Sequence, residues 1–234
     1  MNILVTGASK GIGKIIAKTL NELGQVYAVA RNEDKLKELN LSYFCCDLSN
    51  CEELIKLGDF IEENKIDVLI NNAGEYIYSD IDKIDLDNLE HIINVNLKAP
   101  IYLMKRAVPY MKTQNFGRII NIGSISGVMG EASASMYSAT KAGLIGLSKA
   151  TGLELAKYGI TVNTINPGWV DTELGNNSIE ESEFSQEEII ECIPQRRFVE
   201  PQEVADLVKY LISDSAKGIT GQSINICAGL SVGI

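Results

Sequence analysis

Ile3-Leu4-Val5-Thr6-Gly7-Ala8-Ser9-Lys10-Gly11-Ile12-Gly13 joins a short apolar run to three glycines, and residues 11–24 then carry Ile12, Ile15, Ile16, Thr19, Leu20 and Leu23 at helical spacing. An apolar run, a glycine turn and an amphipathic pattern in that order predict a strand that turns sharply into a helix. Glycine permits the turn and lets the backbone approach a ligand closely. The free N–H groups and positive dipole end of the helix then form an anion site suited to a pyrophosphate.

Further along, apolar runs recur at Val26-Tyr27-Ala28-Val29, Tyr43-Phe44-Cys45, Val68-Leu69-Ile70, Ile119-Ile120-Asn121-Ile122, Thr161-Val162-Asn163-Thr164-Ile165 and Ser223-Ile224-Asn225-Ile226. Helical patterns separate them. Asn32 is a predicted N-cap ahead of Glu33 and Asp34, residues 87–112 and 135–158 form two long patterns, and Pro201 opens another over 201–213. Strands apolar on both faces and alternating with helices require a sheet covered on both sides. The predicted fold is α/β: one domain, residues 1–234, built as a Rossmann-type doubly wound seven-stranded parallel sheet with helices on both faces.

Residues 173–191 break the rhythm with seven glutamates and no Lys or Arg. Such a stretch reads as a lid, placed over about 173–197, or as a solvated acidic segment.

Composition narrows the function classes. A chain of 234 residues buries roughly 70–75 % of its unfolded surface, enough for one domain with a deep cleft. Its net charge of −10 argues against nucleic acid as a partner, since phosphate binding relies on Lys and Arg. No apolar stretch approaches the roughly 18 residues a bilayer span requires, so no membrane association is expected. Met1 to Thr6 lacks a basic flank and leader pattern, making the cytoplasm the expected compartment. The five cysteines form no CxxC pair and read as buried reduced thiols, with no metal site expected. His91, the one histidine, is placed in a helix away from the motifs and given no role.

Two features choose the nucleotide. NAD-preferring sites place an acid at the end of the second strand, about 20 residues beyond the glycines, to take the ribose hydroxyls. Here the sequence reads Ala30-Arg31. An arginine there can pair with a 2′-phosphate, and Lys10 in the glycine turn adds a second positive charge. NADP(H) is therefore the preferred cofactor, with NAD(H) as second choice. In Tyr137-Ser138-Ala139-Thr140-Lys141, tyrosine and lysine stand four apart in a helical pattern and share a face. A phenol that ordinarily titrates at about 10 needs a nearby cation to work as acid or base near neutrality, and Lys141 is the expected source.

With these motifs in order, the sequence resembles the classical short-chain dehydrogenase/reductase family over essentially its whole length. The turn holding Gly7, Ser9, Lys10, Gly11, Ile12 and Gly13 matches the family's TGxxxGxG. Cys46-Asp47-Leu48 matches its adenine-contacting aspartate, and Asn71-Asn72-Ala73-Gly74 its NNAG. Asn94-Val95-Asn96 supplies an active-site asparagine as Asn96, and Ser124 stands thirteen positions before Tyr137. Pro167-Gly168 and Val170-Asp171-Thr172 match the segment that holds the carboxamide of the nicotinamide.

The resemblance implies a division of labour. Tyr137 exchanges the proton, Ser124 hydrogen-bonds the substrate oxygen, Lys141 binds the ribose and lowers the tyrosine pKa, and Asn96 holds a relay water. It implies a carbonyl or alcohol substrate, with acyl thioesters among the candidates, and a homotetramer or homodimer formed through the two long helices. The nearest flavour is 3-oxoacyl-[acyl-carrier-protein] reductase, from Ile193-Pro194, Arg197-Phe198 and Ile219-Thr220-Gly221-Gln222. Departures fall at Asn115 and Tyr158, where such reductases place arginines, although Lys112 and Lys157 lie nearby. Another departure is the C-terminal Ile226-Cys227-Ala228-Gly229. A catalytically silent NADP(H)-binding regulator or scaffold is the alternative. Loss of Ser124, Tyr137 or Lys141 would mark it, and all three are present.

Overall fold

In the computed structural model, which describes residues 1–173, 175, 179 and 185–232, the seven apolar runs form seven parallel strands. These are β1 (Asn2–Thr6), β2 (Gln25–Ala30), β3 (Ser42–Cys45), β4 (Val68–Asn71), β5 (Gly117–Ile122), β6 (Ile160–Pro167) and β7 (Ser223–Ile226). Their order across the sheet is β3-β2-β1-β4-β5-β6-β7. The chain reverses direction across the sheet between β1 and β4, and the crevice at the carboxyl ends of those strands is where open parallel sheets bind ligands.

Strand pleating explains why the central runs carry apolar residues on both faces, whereas the edge strands β3 and β7 are partly exposed. Ile3, Val5, Val68 and Ile70 enter the core on one face, whereas Leu4, Leu69, Ile119 and Val162 enter the core on the other. On the first face lie α1 (Gly11–Leu20) and α9 (Pro201–Ile212), which pack against each other. The second face is covered by α3 (Cys51–Glu63) and α5 (Ala99–Gln114), with Leu155 of α7 (Ser135–Leu155) closing its edge. Shorter helices are α2 (Glu33–Lys37), α4 (Leu86–Ile93), α6 (Ser126–Met129) and α8 (Gln186–Cys192). Asn32 caps α2 as expected, its side chain accepting from Lys35 N.

The pattern over 87–112 becomes α4, a π-turn at Asn94–Lys98, and α5. Pro100 explains the break. It has no N–H to give the Asn96 carbonyl four residues earlier, and Ala99 N instead reaches back to Asn94 O. The extra residue turns the Asn96 side chain fully inward. The predicted helix over 11–24 is shorter and stops at Leu20.

Of the lid placed at 173–197, residues 174, 176–178 and 180–184 lie outside the described residues. A bridge between Val170 and Val199, with Val199 N donating to Trp169 O at 2.8 Å, pins the base of this excursion. The five thiols are free, but only Cys46 and Cys227 are buried; Cys45, Cys51 and Cys192 are exposed, which corrects the expectation for three of them.

Candidate active site

One cleft of about 870 Å³ runs along the carboxyl ends of the strands. It is lined by Gly7, Ser9, Lys10, Gly11, Ile12, Gly13, Arg31, Asp47, Leu48, Asn72, Ala73 and Gly74 toward one end. Ser124, Tyr137, Lys141, Pro167, Gly168, Val170 and Thr172 continue it. Asn96 is the one predicted site residue that does not line it, being buried behind the wall.

The nucleotide end is shaped by close packing. Gly7 has φ +66°, and a Cβ there would sit 2.8 Å from Ala73 Cα. A Cβ on Gly13 would collide with Asn72 Nδ2 and the Gly7 carbonyl. Thr6 and Asn72 lock the turn to the loop after β4. Asn72 N and Ala73 N donate to Thr6 Oγ1 at 3.0 Å, and Asn72 Nδ2 donates to Thr6 O at 2.9 Å. Lys10, the N-cap of α1, makes no side-chain cap bond, so the first-turn N–H groups open toward the cleft. These features fit a dinucleotide pyrophosphate, and Asp47, Arg31 and Lys35 also line the cleft.

At the other end, α7 places Tyr137 and Lys141 on its buried stripe, one turn apart. Ser124 lies between two backbone clamps, Gly123 N to Ile165 O at 2.7 Å and Ile125 N to Pro167 O at 3.0 Å. Its hydroxyl donates to Ser126 Oγ at 3.0 Å, and Ser126 donates to Glu131 Oε2 at 2.6 Å. Tyr76 donates to Glu131 Oε1 at 2.8 Å and stands edge-on to Tyr137 with ring centroids 5.1 Å apart. Asn96 joins the β4 loop to α7. It accepts from Glu75 N and donates to Glu75 O, both at 2.8 Å, and its Nδ2 reaches Thr140 Oγ1 at 3.3 Å.

Burial dominates the electrostatics here. It pushes the Tyr137 phenol up to about 12; the Ser124 hydroxyl opposes the rise and the Glu131 carboxylate adds to it. Burial also pulls Lys141 down to about 8. Burial, rather than Lys141, sets the direction of the Tyr137 shift in this structure. The Lys141 ammonium donates to Ile122 O at 2.8 Å and lies 5.4 Å from the Tyr137 ring centroid. The phenol accordingly holds its proton at neutral pH.

His91 is not remote, as expected from the sequence, but lies 2.5 Å from Glu75 Oε2. Other cleft residues were not legible as such: Glu75, Tyr76, Ser126, Glu131, Trp169, Ile189 and Leu230. Glu75 adjoins Gly74, and its position directly after the glycine was the available signal. For Leu230, the C-terminal departure pointed to the right region.

Comparison with known proteins agrees with this geometry. The family model described as enoyl-(acyl carrier protein) reductase matches residues 7–231. The 3-oxoacyl-[acyl-carrier-protein] reductase FabG of Rickettsia felis is 39 % identical over 236 residues, covering 97 % of this chain and 95 % of that protein. A variant of actinorhodin polyketide ketoreductase solved with NADPH has a TM-score of 0.93 at 36 % identity, covering 99 % of this chain and 97 % of that one. YwfH, an NADPH-dependent reductase involved in bacilysin biosynthesis, has a TM-score of 0.94 at 30 % identity, with 100 % and 99 % covered. A match running from the glycine turn nearly to the C-terminus, on the same fold, means that this chain belongs to the short-chain dehydrogenase/reductase family of oxidoreductases.

Proposed function

We propose that the protein reduces a ketone or 3-oxoacyl-type carbonyl to a secondary alcohol with NADPH, Tyr137 supplying the proton. The observation that carries this reading is the convergence of Ser124, Tyr137 and Lys141 in the cleft whose far end is the glycine turn. When bound, the reduced nicotinamide supplies the hydride. The protein supplies placement and charge stabilisation. Gly7, Gly11 and Gly13 admit the pyrophosphate against the N-terminus of α1, and Lys10 and Arg31 favour a 2′-phosphate. Ser124 steadies the substrate oxygen, and Tyr137, protonated at neutral pH, gives its proton to the developing alkoxide. Lys141, a short bond from Ile122 O, orients the ribose side of the cleft, and Asn96 fixes the loop carrying Gly74 and Glu75 against α7.

The named activities of the Rickettsia and actinorhodin proteins support a 3-oxoacyl-type carbonyl as the first substrate class. Lys112 and Lys157 both lie over the Tyr158 ring, at 4.9 and 5.1 Å from its centroid. They gather positive charge near the positions where carrier-protein reductases have arginine. A subunit contact through α4, α5 and α7 is part of this reading, supported by the exposure of Ile93, Ile101 and Leu153 on them.

The test is NADPH consumption against simple ketones, diketones, acetoacetyl thioesters and the same acyl group on a carrier protein. Turnover of a thioester supports the 3-oxoacyl reading, whereas turnover confined to diketones or simple ketones narrows the reading to small carbonyls. Tight NADPH binding with no carbonyl reduced supports the silent regulator instead.

A further inference from the structure

Glu75 follows Asn72-Ala73-Gly74 directly, and its backbone and side chain do separate things. The backbone N–H and C=O form the reciprocal pair with Asn96. The carboxylate is held between two partners: Oε1 lies 2.7 Å from Arg31 Nη2 and Oε2 2.5 Å from His91 Nε2. Arg31 follows β2 and Glu75 follows β4, strands that flank β1 on opposite sides. The ion pair therefore spans the cleft over the glycine turn, and both residues line it. The guanidinium that a 2′-phosphate would engage already has a carboxylate against it, and that carboxylate repels the incoming dianion. With Arg31 58 % and Glu75 25 % exposed, the pair is of the weak, displaceable kind.

We infer that Glu75 is a cofactor-specificity residue: its carboxylate competes with the 2′-phosphate for Arg31 and so limits the preference for NADP(H) over NAD(H). The inference rests on the nucleotide reading proposed above. A cofactor without the 2′-phosphate has no use for the Arg31 fork and gains little when Glu75 is neutralised, whereas NADPH gains a free guanidinium and loses a repelling charge.

The experiment is direct binding of NADPH and of NADH to the full chain without substrate, read by nicotinamide fluorescence. It compares wild type, Glu75→Gln, Glu75→Ala, Arg31→Ala and the Glu75→Gln/Arg31→Ala double variant. Both Glu75 variants are expected to tighten NADPH by about three- to fivefold, leave NADH nearly unmoved, and lose that gain once Arg31 is absent. Equal changes for both nucleotides, weaker NADPH binding, or a gain that persists without Arg31 overturn the inference. Wild type that binds NADPH tightly while the Glu75 variants leave the nucleotide ratio unmoved overturns it alone. Wild type that binds neither nucleotide overturns the nucleotide reading and the inference with it.

Discussion

Tyr137 and Lys141 share one dry wall of the cleft, and burial moves them in opposite directions. Each shift has its own consequence. The phenol keeps its proton well above neutrality, and under the proposed mechanism Tyr137→Phe is expected to cost about 10²–10⁴-fold in turnover while NADPH affinity stays within a factor of about two. Single-turnover kinetics and nucleotide titration separate the two quantities. For Lys141 the signature is thermodynamic. Its folded-state pKa of about 8 lies below the ordinary 10.5, so between those values the unfolded chain binds more protons and stability rises with pH. The cost of burying the ammonium is fully present below pH 8, and the displacement corresponds to about 3 kcal/mol. Between pH 7 and 10, wild type should gain about 2 kcal/mol over Lys141→Met in urea unfolding, and parallel stability curves would contradict the assignment. Tyr137 acts in the opposite sense only above pH 10, its contribution falling as pH rises toward about 12.

Elements explain why these residues meet. The π-turn over Asn94–Lys98 is forced by Pro100, and it delivers Asn96 to the loop after β4. Asn96→Ala would leave the Glu75 backbone N–H and C=O without those partners, an expected loss of about 1–3 kcal/mol visible as a lower Tm. Gly13→Ala should be more damaging to binding, since its Cβ must enter the space of Asn72 and Gly7. Strands, their order of appearance and the glycine turn could be read from the sequence because both-face apolar runs and glycine clusters are local signals. The tie between Arg31, Glu75 and His91 could not, because Arg31 and Glu75 lie 44 positions apart and Glu75 and His91 16 apart. Only the sheet order brings β2 and β4 to the two sides of β1. Burial, the cause of the raised Tyr137 pKa, likewise depends on packing that a YxxxK spacing does not reveal.

For the whole molecule, the sheet's two cores hold the cleft's floor in place. Leu69, fully buried between β1 and β5, should cost about 2–5 kcal/mol as Leu69→Ala, without changing which nucleotide is preferred. Leu153, 84 % accessible on α7, lies on the face proposed as a subunit contact. Leu153→Asp should therefore lower the mass found by light scattering, and an unchanged mass would move the contact elsewhere. In the proposed function one cleft joins a dinucleotide site to a Ser124–Tyr137–Lys141 proton-transfer site. The most direct test of that function is NADPH oxidation with an acetoacetyl thioester, comparing wild type with Tyr137→Phe at matched nucleotide saturation. Wild type is expected to show carbonyl-dependent oxidation, and the variant to lose nearly all of it with NADPH still bound. Comparable oxidation by both proteins would contradict that function.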